Sequence, residues 1–319
     1  MLDALSDTDR CTHEKFKRLV ERVQKLPPIC VAVAHPCDRV SLESAVEAAK
    51  LGIIVPILVG PKTKIQAVAD EAKIDIGDYE LIDAAHSHDA AAKAVAVVRE
   101  GRAEALMKGS LHTDELMGAV VARETGLRTA RRISHCFIMD VPDHDDALVI
   151  TDAAVNIAPT LEEKVDIVQN AIDLAHSMGV DDVRVAILSA METVNPKVPS
   201  TLEAAALCKM ADRGQITGAQ LDGPLALDNA ISPEAATIKK IVSPVAGRAN
   251  VLVVPDLEAG NMLAKSLSFL SGADAAGIVL GARVPIILTS RADAPLTRLA
   301  SCAVAALIAA SRRATAAIQ

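Results

Sequence analysis

Aromatic residues are almost absent from this chain. Its 319 residues include no tryptophan, one tyrosine (Tyr79) and three phenylalanines. Proteins that bind single-stranded nucleic acids stack the bases on aromatic side chains, so this composition argues against a surface of that kind. The formal net charge is -8 and no basic stripe offsets it along the chain. We therefore expect no attraction to nucleic-acid backbones or to anionic membranes.

Long apolar runs and paired cysteines are lacking as well. The acidic start, MLDALSDTDR, does not have the pattern of a signal peptide, and Arg283 or small polar residues interrupt the longest apolar stretches. The six cysteines are scattered singly, without a C-x-x-C motif or histidines at a zinc-binding spacing. These absences favour a cytoplasmic enzyme with reduced thiols and no membrane span.

The chain is rich in aliphatic residues, and 51% of it is hydrophobic. Short runs of Val and Ile alternate with longer amphipathic segments, which predicts an α/β fold. The predicted strands are 29–34, 53–59, 79–84, 104–108, 133–141, 147–153, 184–190, 216–222, 250–256 and 284–290. Only PDHDD separates 133–141 from 147–153, which is too short for a helix. A hairpin and a mixed sheet are therefore expected.

Helix starts are indicated by two capping boxes. Thr160 with Glu163, and Ser200 with Glu203, have the spacing at which a hydroxyl and a carboxylate bind the first free amides of a helix. The length is sufficient for two domains, but no linker of distinct composition divides them.

Polar residues cluster where the predicted strands end. In open α/β sheets, ligands bind at the carboxyl ends of the strands, although the same residue types also form ordinary turns. The clusters are MKGSLHTDEL (107–116), TDAAVNIAP (151–159), SAMETVNPK (189–197), LDGPLALDN (221–229), PDLEAGNML (255–263) and SRAD (290–293). Six such clusters predict a binding site along one edge.

Several of these residues have two interpretations. The turn at 108–110 resembles a phosphate-binding turn but lacks the spacing of a P-loop, and a surface turn is the alternative. His112 and His135 are candidates for acid–base groups or for hydrogen-bonded packing residues. Asp222 and Asp228 would suit a divalent metal only with a third carboxylate, and the proline between them favours a turn.

Two long segments carry a specific resemblance. Residues 187–232, ILSAMETVNPK to DNAIS, and residues 255–293, PDLEAGNML to SRAD, resemble the phosphate acetyltransferase and phosphate butyryltransferase family. The resemblance extends from about residue 105 and is strongest over 184–298, whereas the first hundred residues match only in pattern. It implies reversible transfer of a short acyl group, acetyl or butyryl, between acyl phosphate and coenzyme A through a ternary complex. Coenzyme A is then a substrate, and no cofactor, metal or covalent intermediate is expected.

The resemblance also implies an architecture. It is that of the isocitrate and isopropylmalate dehydrogenases, in which two α/β domains with mixed sheets flank a deep interdomain cleft, usually in a homodimer. We place domain I at residues 1–132 plus 277–319 and domain II at residues 133–276. Domain II is the expected cleft partner and dimer interface.

The opening residues of the SRAD cluster are the expected catalytic centre. The family has a Ser-Arg pair in the cleft, which corresponds here to Ser290 and Arg291. A thiol with a pKa of about 8.5 needs a base, and the tetrahedral intermediate and leaving phosphate need a donor and a cation. Ser290 can donate a hydrogen bond to the sulfur or the oxyanion, and Arg291 can hold phosphoryl oxygens in bidentate geometry.

The base is where this sequence departs from the acetyltransferases. They have an aspartate seven positions after the serine, and Thr297 occupies that position here. Asp293, in the S-R-x-D form of the butyryl-type branch, is the candidate base, and a cap of the last helix is the alternative. An arginine of the acetyl branch is also replaced, near Met117, so that Lys108 or another basic group is expected to hold phosphate.

Ser290, Arg291 and Asp293 are thus the expected catalytic residues. The expected substrate-binding residues are Lys108, Gly109, His112, Asn156, Glu192, Asp222 and Asn261. Two other functions fit the same fold: an NAD-dependent hydroxy-acid dehydrogenase, which needs an arginine cluster and metal-binding aspartates, and a non-catalytic acyl-phosphate-binding protein. The sequence leaves open the acyl chain length and the residues that hold the nucleotide of coenzyme A.

Overall fold

The computed structural model describes residues 14–142, 144–288 and 294–318, except the side chains of 316–318. The chain divides into two compact units. We call residues 16–131 with 276–319 the first unit, and residues 132–275 with Glu14 and Lys15 the second unit. Lys15 belongs to the second unit because its ammonium group binds the Asp140 carboxylate at 2.9 Å and donates to the Val141 carbonyl at 2.8 Å.

Helices and strands alternate along both units. The strands are β1 (Ile29–Ala34), β2 (Ile54–Gly60), β3 (Glu80–Asp83), β4 (Ala105–Lys108), β5 (Ser134–Asp140), β6 (Leu148–Thr151), β7 (Arg184–Leu188), β8 (Gln220–Leu225), β9 (Val251–Val253), β10 (Asp274–Leu280) and β11 (Ile286–Ile287). The helices are α1 (Glu14–Val23), α2 (Arg39–Lys50), α3 (Lys62–Ala72), α4 (Ser87–Arg99), α5 (Thr113–Val121), α6 (Leu161–Ser177), α7 (Pro199–Asp212), α8 (Leu227–Ile231), α9 (Pro233–Ile238), α10 (Leu257–Leu270) and α11 (Pro295–Ile318). The predicted α/β class is confirmed.

The first unit contains the strand order β3-β2-β1-β4-β11-β10. The strands β1 to β4 and β11 are parallel, and β10 is antiparallel to β11. Nearly all of β1 is buried, as expected for a central parallel strand with helices on the sheet faces. The carboxyl ends of β1, β4 and β11 therefore share one edge of this sheet.

The second unit contains the order β5-β6-β9-β7-β8. The strands β6, β9, β7 and β8 are parallel, whereas β5 pairs with β6 in the antiparallel direction. This confirms the predicted hairpin and mixed sheet. Apolar side chains from all five of these strands contribute to the core of this unit, among them Met139, Leu148, Leu188, Leu225 and Leu252.

Three strand predictions need correction. The strand β10 was not predicted, because its sequence DAAGIVL begins with small residues that have low strand propensity. The predicted strand 216–222 is displaced to β8, since Gly218 adopts a positive φ of 86° in a turn. β8 also contains Pro224, which an edge strand tolerates. The segment 284–290 forms a strand only at β11 within the described residues.

One of the two predicted capping boxes is confirmed. The Thr160 hydroxyl accepts from the Glu163 amide at 3.3 Å, and the Glu163 carboxylate accepts from the Thr160 amide at 2.9 Å. The box at Ser200 is wrong. The helix α7 already begins at Pro199, and proline is favoured at the first position of a helix. The Ser200 hydroxyl instead hydrogen-bonds the Ser189 hydroxyl at 2.8 Å.

No helix among the described residues is both long enough and apolar enough to cross a membrane.

Candidate functional site

Polar loops of the second unit lie at a common edge. Because β6, β9, β7 and β8 are parallel, the loops that follow them leave the sheet at the same side. Asn156 lies in the loop after β6 and Glu192 in the loop after β7. Asn261 lies in α10, which follows the loop after β9. Asp222 differs, because it lies inside β8 and not beyond its end.

The loop after β6 is organised by a buried carboxylate. Asp152 accepts hydrogen bonds from the amides of Ala154 at 2.9 Å, Val155 at 3.0 Å and Asn156 at 3.2 Å. The Asn156 side-chain amide donates to Asp152 at 2.5 Å and to the Ile133 carbonyl at 2.9 Å. Both residues are buried. The side-chain NH₂ group of Asn156 is thus engaged by the protein itself, and its expected contact with substrate stays a prediction.

The Asn156 side chain also binds the guanidinium group of Arg132. Its oxygen accepts from the Arg132 guanidinium at 2.7 Å, and a second nitrogen of that guanidinium lies 2.8 Å from the Glu163 carboxylate. The Arg132 backbone amide donates to Asp166 at 2.7 Å. Arg132 is therefore fixed beside the start of α6 with half of its side chain exposed. Sequence reasoning missed it, because the contact with Asn156 crosses 24 residues of chain.

Asn261 contacts the same loop. Its side-chain amide donates to the Ala153 carbonyl at 3.3 Å, and it lies in the first turn and a half of α10. The preceding Gly260 packs so closely that a Cβ atom there would be 3.0 Å from the Asp152 carbonyl oxygen. The structure thus brings the predicted residues Asn156 and Asn261 together around residues 152–156.

Glu192 is part of a separate group after β7. Its carboxylate binds the Lys239 ammonium at 2.8 Å and accepts from the Asn229 side chain at 3.4 Å. The hydrogen bond from Lys239 lowers the pKa of Glu192. A carboxylate held in its charged form in this way can orient a donor but is a weak base.

The aspartates of the LDGPLALDN segment do not form a metal site with described residues. The Asp222 carboxylate accepts from the amide of Gly223 at 2.8 Å, while Asp228 lies in the first turn of α8. Within the described ranges, no three histidine, cysteine or acidic side chains converge as metal ligands would.

The two histidines named in the sequence occupy different environments. His135 is buried on β5, and its ring packs edge-on against Phe137 at 4.4 Å. Burial lowers the pKa of His135 to about 4, and the nearby Asp152 opposes this shift only in part. His135 is therefore a neutral packing residue. His112 is exposed and precedes α5, where its backbone amide donates to Glu115 at 2.9 Å.

The turn after β4 lies tightly against β1 in the first unit. The Gly109 amide donates to the Ala34 carbonyl at 2.9 Å, and a Cβ atom at Gly109 would be 2.5 Å from the His35 carbonyl oxygen. The Lys108 ammonium donates to the carbonyls of Gly109 at 3.2 Å and Leu111 at 3.3 Å. Lys108 thus lies over a turn in which position 109 has no room for a side chain.

His35 lies beside this turn and was missed in the sequence. It follows β1 in a left-handed conformation with φ 55°, and its Nδ1 atom is 2.9 Å from the Ser110 hydroxyl. The same hydroxyl donates to the His35 carbonyl at 2.8 Å and accepts from the Cys37 amide at 3.3 Å. Burial, followed by the charge of Lys64, lowers the pKa of His35.

The expected catalytic residues Ser290, Arg291 and Asp293 lie outside the described residues. Thr297, the residue at the position of the acetyltransferase aspartate, is described. It is buried in the first turn of α11, and its carbonyl accepts from the Ser301 hydroxyl at 3.1 Å.

Comparison with known proteins decides the family. The sequence model described as "Phosphate acetyl/butaryl transferase" matches residues 86–306, which is more than half of the chain. The chain belongs to the phosphate acetyl/butyryl transferase family. Its members catalyse acyl transfer, so the resemblance found in the sequence is confirmed.

Relatives of both named activities occur in this family. The chain is 67% identical to the phosphate acetyltransferase of Rhizobium meliloti, over 94% of this chain and 95% of the relative. It is 40% identical to the phosphate butyryltransferase of Clostridium acetobutylicum, over 94% of this chain and 99% of the relative.

Solved structures agree with the family. A branched-chain phosphotransacylase from Enterococcus faecalis matches with a TM-score of 0.77 and 30% identity, over 88% of this chain and 99% of that one. A 4-hydroxythreonine-4-phosphate dehydrogenase from Burkholderia phymatum matches with a TM-score of 0.52 and 12% identity, over 89% and 98% of the two chains. The second likeness concerns the fold alone.

Proposed function

We propose that this family member transfers an acetyl group reversibly between acetyl phosphate and coenzyme A. The observation that carries the choice of acetyl over butyryl is the identity of 67% to a phosphate acetyltransferase, against 40% to a phosphate butyryltransferase over the same share of the chain. The S-R-x-D sequence, which resembles the butyryl-type branch, is a local feature and does not define the volume of the acyl pocket.

The proposed chemistry rests on three requirements. Ser290 donates a hydrogen bond to the sulfur or to the developing oxyanion, and Arg291 binds the phosphoryl oxygens through its planar fork. The turn at Lys108 and Gly109 supports a phosphate site, because β4 is the parallel neighbour of β11 and both strands end at one edge. Phosphate is already a good leaving group, so we propose no metal and no cofactor besides the substrate coenzyme A.

The scheme also requires a proton acceptor for the thiol. Thr297 has no basic group, and its position in the first turn of α11 is buried. Asp293 is the candidate that the family resemblance supplies, and capping of α11 is its alternative role.

We also propose the architecture that the resemblance implies. The two units would form the two domains of an isocitrate dehydrogenase-type fold, with the substrates in a cleft between them, in a cytoplasmic homodimer. The division of the chain near residues 131 and 276 and the likeness to a dehydrogenase fold support this arrangement.

A single assay tests the function against its alternatives. Free thiol released from acetyl-CoA on addition of phosphate is measured with metal ions chelated and without nicotinamide, and butyryl-CoA is compared at equal concentration. Phosphate-dependent release that is faster with acetyl-CoA is the expected result. Reduction of NAD by a hydroxy acid would instead identify a dehydrogenase, and binding of acetyl phosphate without turnover would identify a non-catalytic protein.

A further inference from the structure

A histidine and a serine form a fixed pair at the edge of the first unit. Ala34 of β1 pairs with Lys108 of β4, so the residues that follow, His35 and Ser110, are brought together although 75 positions separate them. The left-handed backbone of His35 is uncommon for a residue with a Cβ atom. Two hydrogen bonds stabilise this conformation. The backbone amide of Ser110, at 2.9 Å, and its hydroxyl, at 2.8 Å, both donate to the His35 carbonyl.

These bonds define which ring nitrogen of His35 carries hydrogen. The single hydrogen of the Ser110 hydroxyl is donated to the His35 carbonyl, so the hydroxyl oxygen acts towards the ring as an acceptor. We therefore assign the ring hydrogen to Nδ1, the tautomer in which both contacts of the hydroxyl are satisfied. A neutral imidazole with hydrogen on Nδ1 has its lone pair on Nε2, and that nitrogen is the one able to take a proton.

The charged groups around His35 favour this neutral form on balance. Asp38, in the loop after β1, and Glu115, on α5, raise the pKa of His35, while burial and Lys64, on α3, lower it. Burial and Lys64 have the larger effect, so the pKa of His35 lies below the ordinary value for histidine. Among the described residues, no group is bonded to Nε2, and the side chain is only half-buried.

We propose that His35 is the base that takes the thiol proton of coenzyme A. The inference rests on the acyl transfer proposed above. In the forward step Nε2 accepts the S–H proton, the sulfur bonds to the acyl carbon, and the bond from that carbon to the phosphate oxygen breaks with its electron pair on the oxygen. The imidazolium then gives its proton to the departing phosphate, which leaves as HPO4²⁻. In the reverse step Nε2 takes the proton of HPO4²⁻ as its oxygen attacks the thioester carbon, and the imidazolium gives that proton to the departing thiolate. Ser110 is a positioning residue, because it acts only through the ring.

The location of His35 favours this role. It contacts the Gly109 turn that is the expected phosphate site, and β1, β4 and β11 end at the same edge. The position at which acetyltransferases have an aspartate is a buried threonine here. A histidine whose Nε2 has no bonded group among the described residues can supply the missing function, which leaves Asp293 with its alternative role at the start of α11.

The decisive variant is His35→Asn. Asparagine tolerates a positive φ, and its amide can donate to the Ser110 hydroxyl in place of Nδ1, but it has no group in the position of Nε2. We expect kcat at pH 7 to fall by about 100-fold or more with little change in KM for coenzyme A. The deficit should narrow towards pH 9, where a thiol with a pKa of about 8.5 ionises without help. His144→Asn, in the exposed β5–β6 connection, is the matched control and should retain wild-type turnover.

Two further variants distinguish a loss of catalysis from a loss of folding. His35→Gly also accepts the left-handed backbone, and imidazole in the buffer should restore part of its turnover. Ser110→Ala releases the ring and should lower kcat less than His35→Asn does, with a changed pH profile. Melting temperatures near the wild-type value would show that each variant is folded.

The outcomes are distinct. Wild-type transfer with an unimpaired His35→Asn variant would overturn the inference and leave the proposed function intact. The same holds if Asp293→Asn, and not His35→Asn, shows the loss that high pH repairs, because Asp293 is then the base. A wild-type chain that releases no thiol from acetyl-CoA would remove both proposals.

Discussion

Gly109 occupies a position where no side chain fits. An added Cβ atom would be 2.5 Å from the His35 carbonyl oxygen and closer still to that of Ala34, and neither backbone atom belongs to a flexible group. We expect Gly109→Ala to cost about 3 kcal/mol of unfolding free energy. Urea unfolding measures this. Gly118→Ala is the matched control, since nothing lies within 4 Å of its added Cβ and alanine favours the helix, so it should stabilise slightly.

Arg291 is proposed to grip two phosphoryl oxygens at once. Lysine keeps the charge but lacks the planar fork, so Arg291→Lys should lose about 2 to 4 kcal/mol of transition-state binding. The measurement is kcat/KM for acetyl phosphate at saturating coenzyme A. A variant within threefold of wild type would show that Arg291 has a structural role.

The buried His135 makes the free energy of unfolding depend on pH. Its pKa in the folded chain is about 4, below the value of about 6.5 for an exposed histidine, so the unfolded chain binds its proton first. Its contribution is fully present above pH 6.5 and decreases as the pH falls to about 4, by up to roughly 3 kcal/mol in all. His135→Leu should remove this part of the acid sensitivity when urea unfolding is compared at pH 7 and pH 4.5. An unchanged slope with pH would contradict the assignment.

At the scale of elements, α6 begins with a complete capping box. Thr160→Ala removes the acceptor for the Glu163 amide and should cost about 1 kcal/mol. Thr63→Ala, at an exposed position in the first turn of α3, removes a hydroxyl that caps nothing and should change stability by less than about 0.5 kcal/mol. Equal losses in the two variants would show that the box contributes nothing.

The sequence predicted elements well where local patterns define them. The hairpin of β5 and β6 followed from five intervening residues, and the common edge of the polar loops followed from alternating strands and helices. It failed where two local signals compete for the same helix start. Ser200 had the spacing of a cap, but Pro199 begins the helix earlier.

The candidate site shows a different limit. Asn156 and Asn261 were named from their loops and do lie together. Arg132 and His35 could not be found in this way, because a single histidine or arginine has no recognisable spacing. Their significance comes from contacts with Asn156 and Ser110, and the second of these bridges 75 residues.

At the scale of the molecule, catalysis is expected to need no metal. Phosphate is a good leaving group, and the described strand ends supply amides and cations but no convergent set of oxygen ligands. Turnover should be unchanged after dialysis against a chelator, with phosphate-dependent thiol release as the measurement. Loss of activity that magnesium restores would contradict this.

The discontinuous course of the first unit has a consequence for biosynthesis. Its strand β4 has β11 as its neighbour, but the whole of residues 132–275 is translated between them. On the ribosome, β1 to β4 therefore emerge long before β11 and α11, and β4 waits with an exposed edge. The uninterrupted segment 132–275 has all five of its own strands earlier and can complete its sheet first. A chain truncated after residue 280 and released from the ribosome should thus contain one protease-resistant unit and one sensitive to digestion.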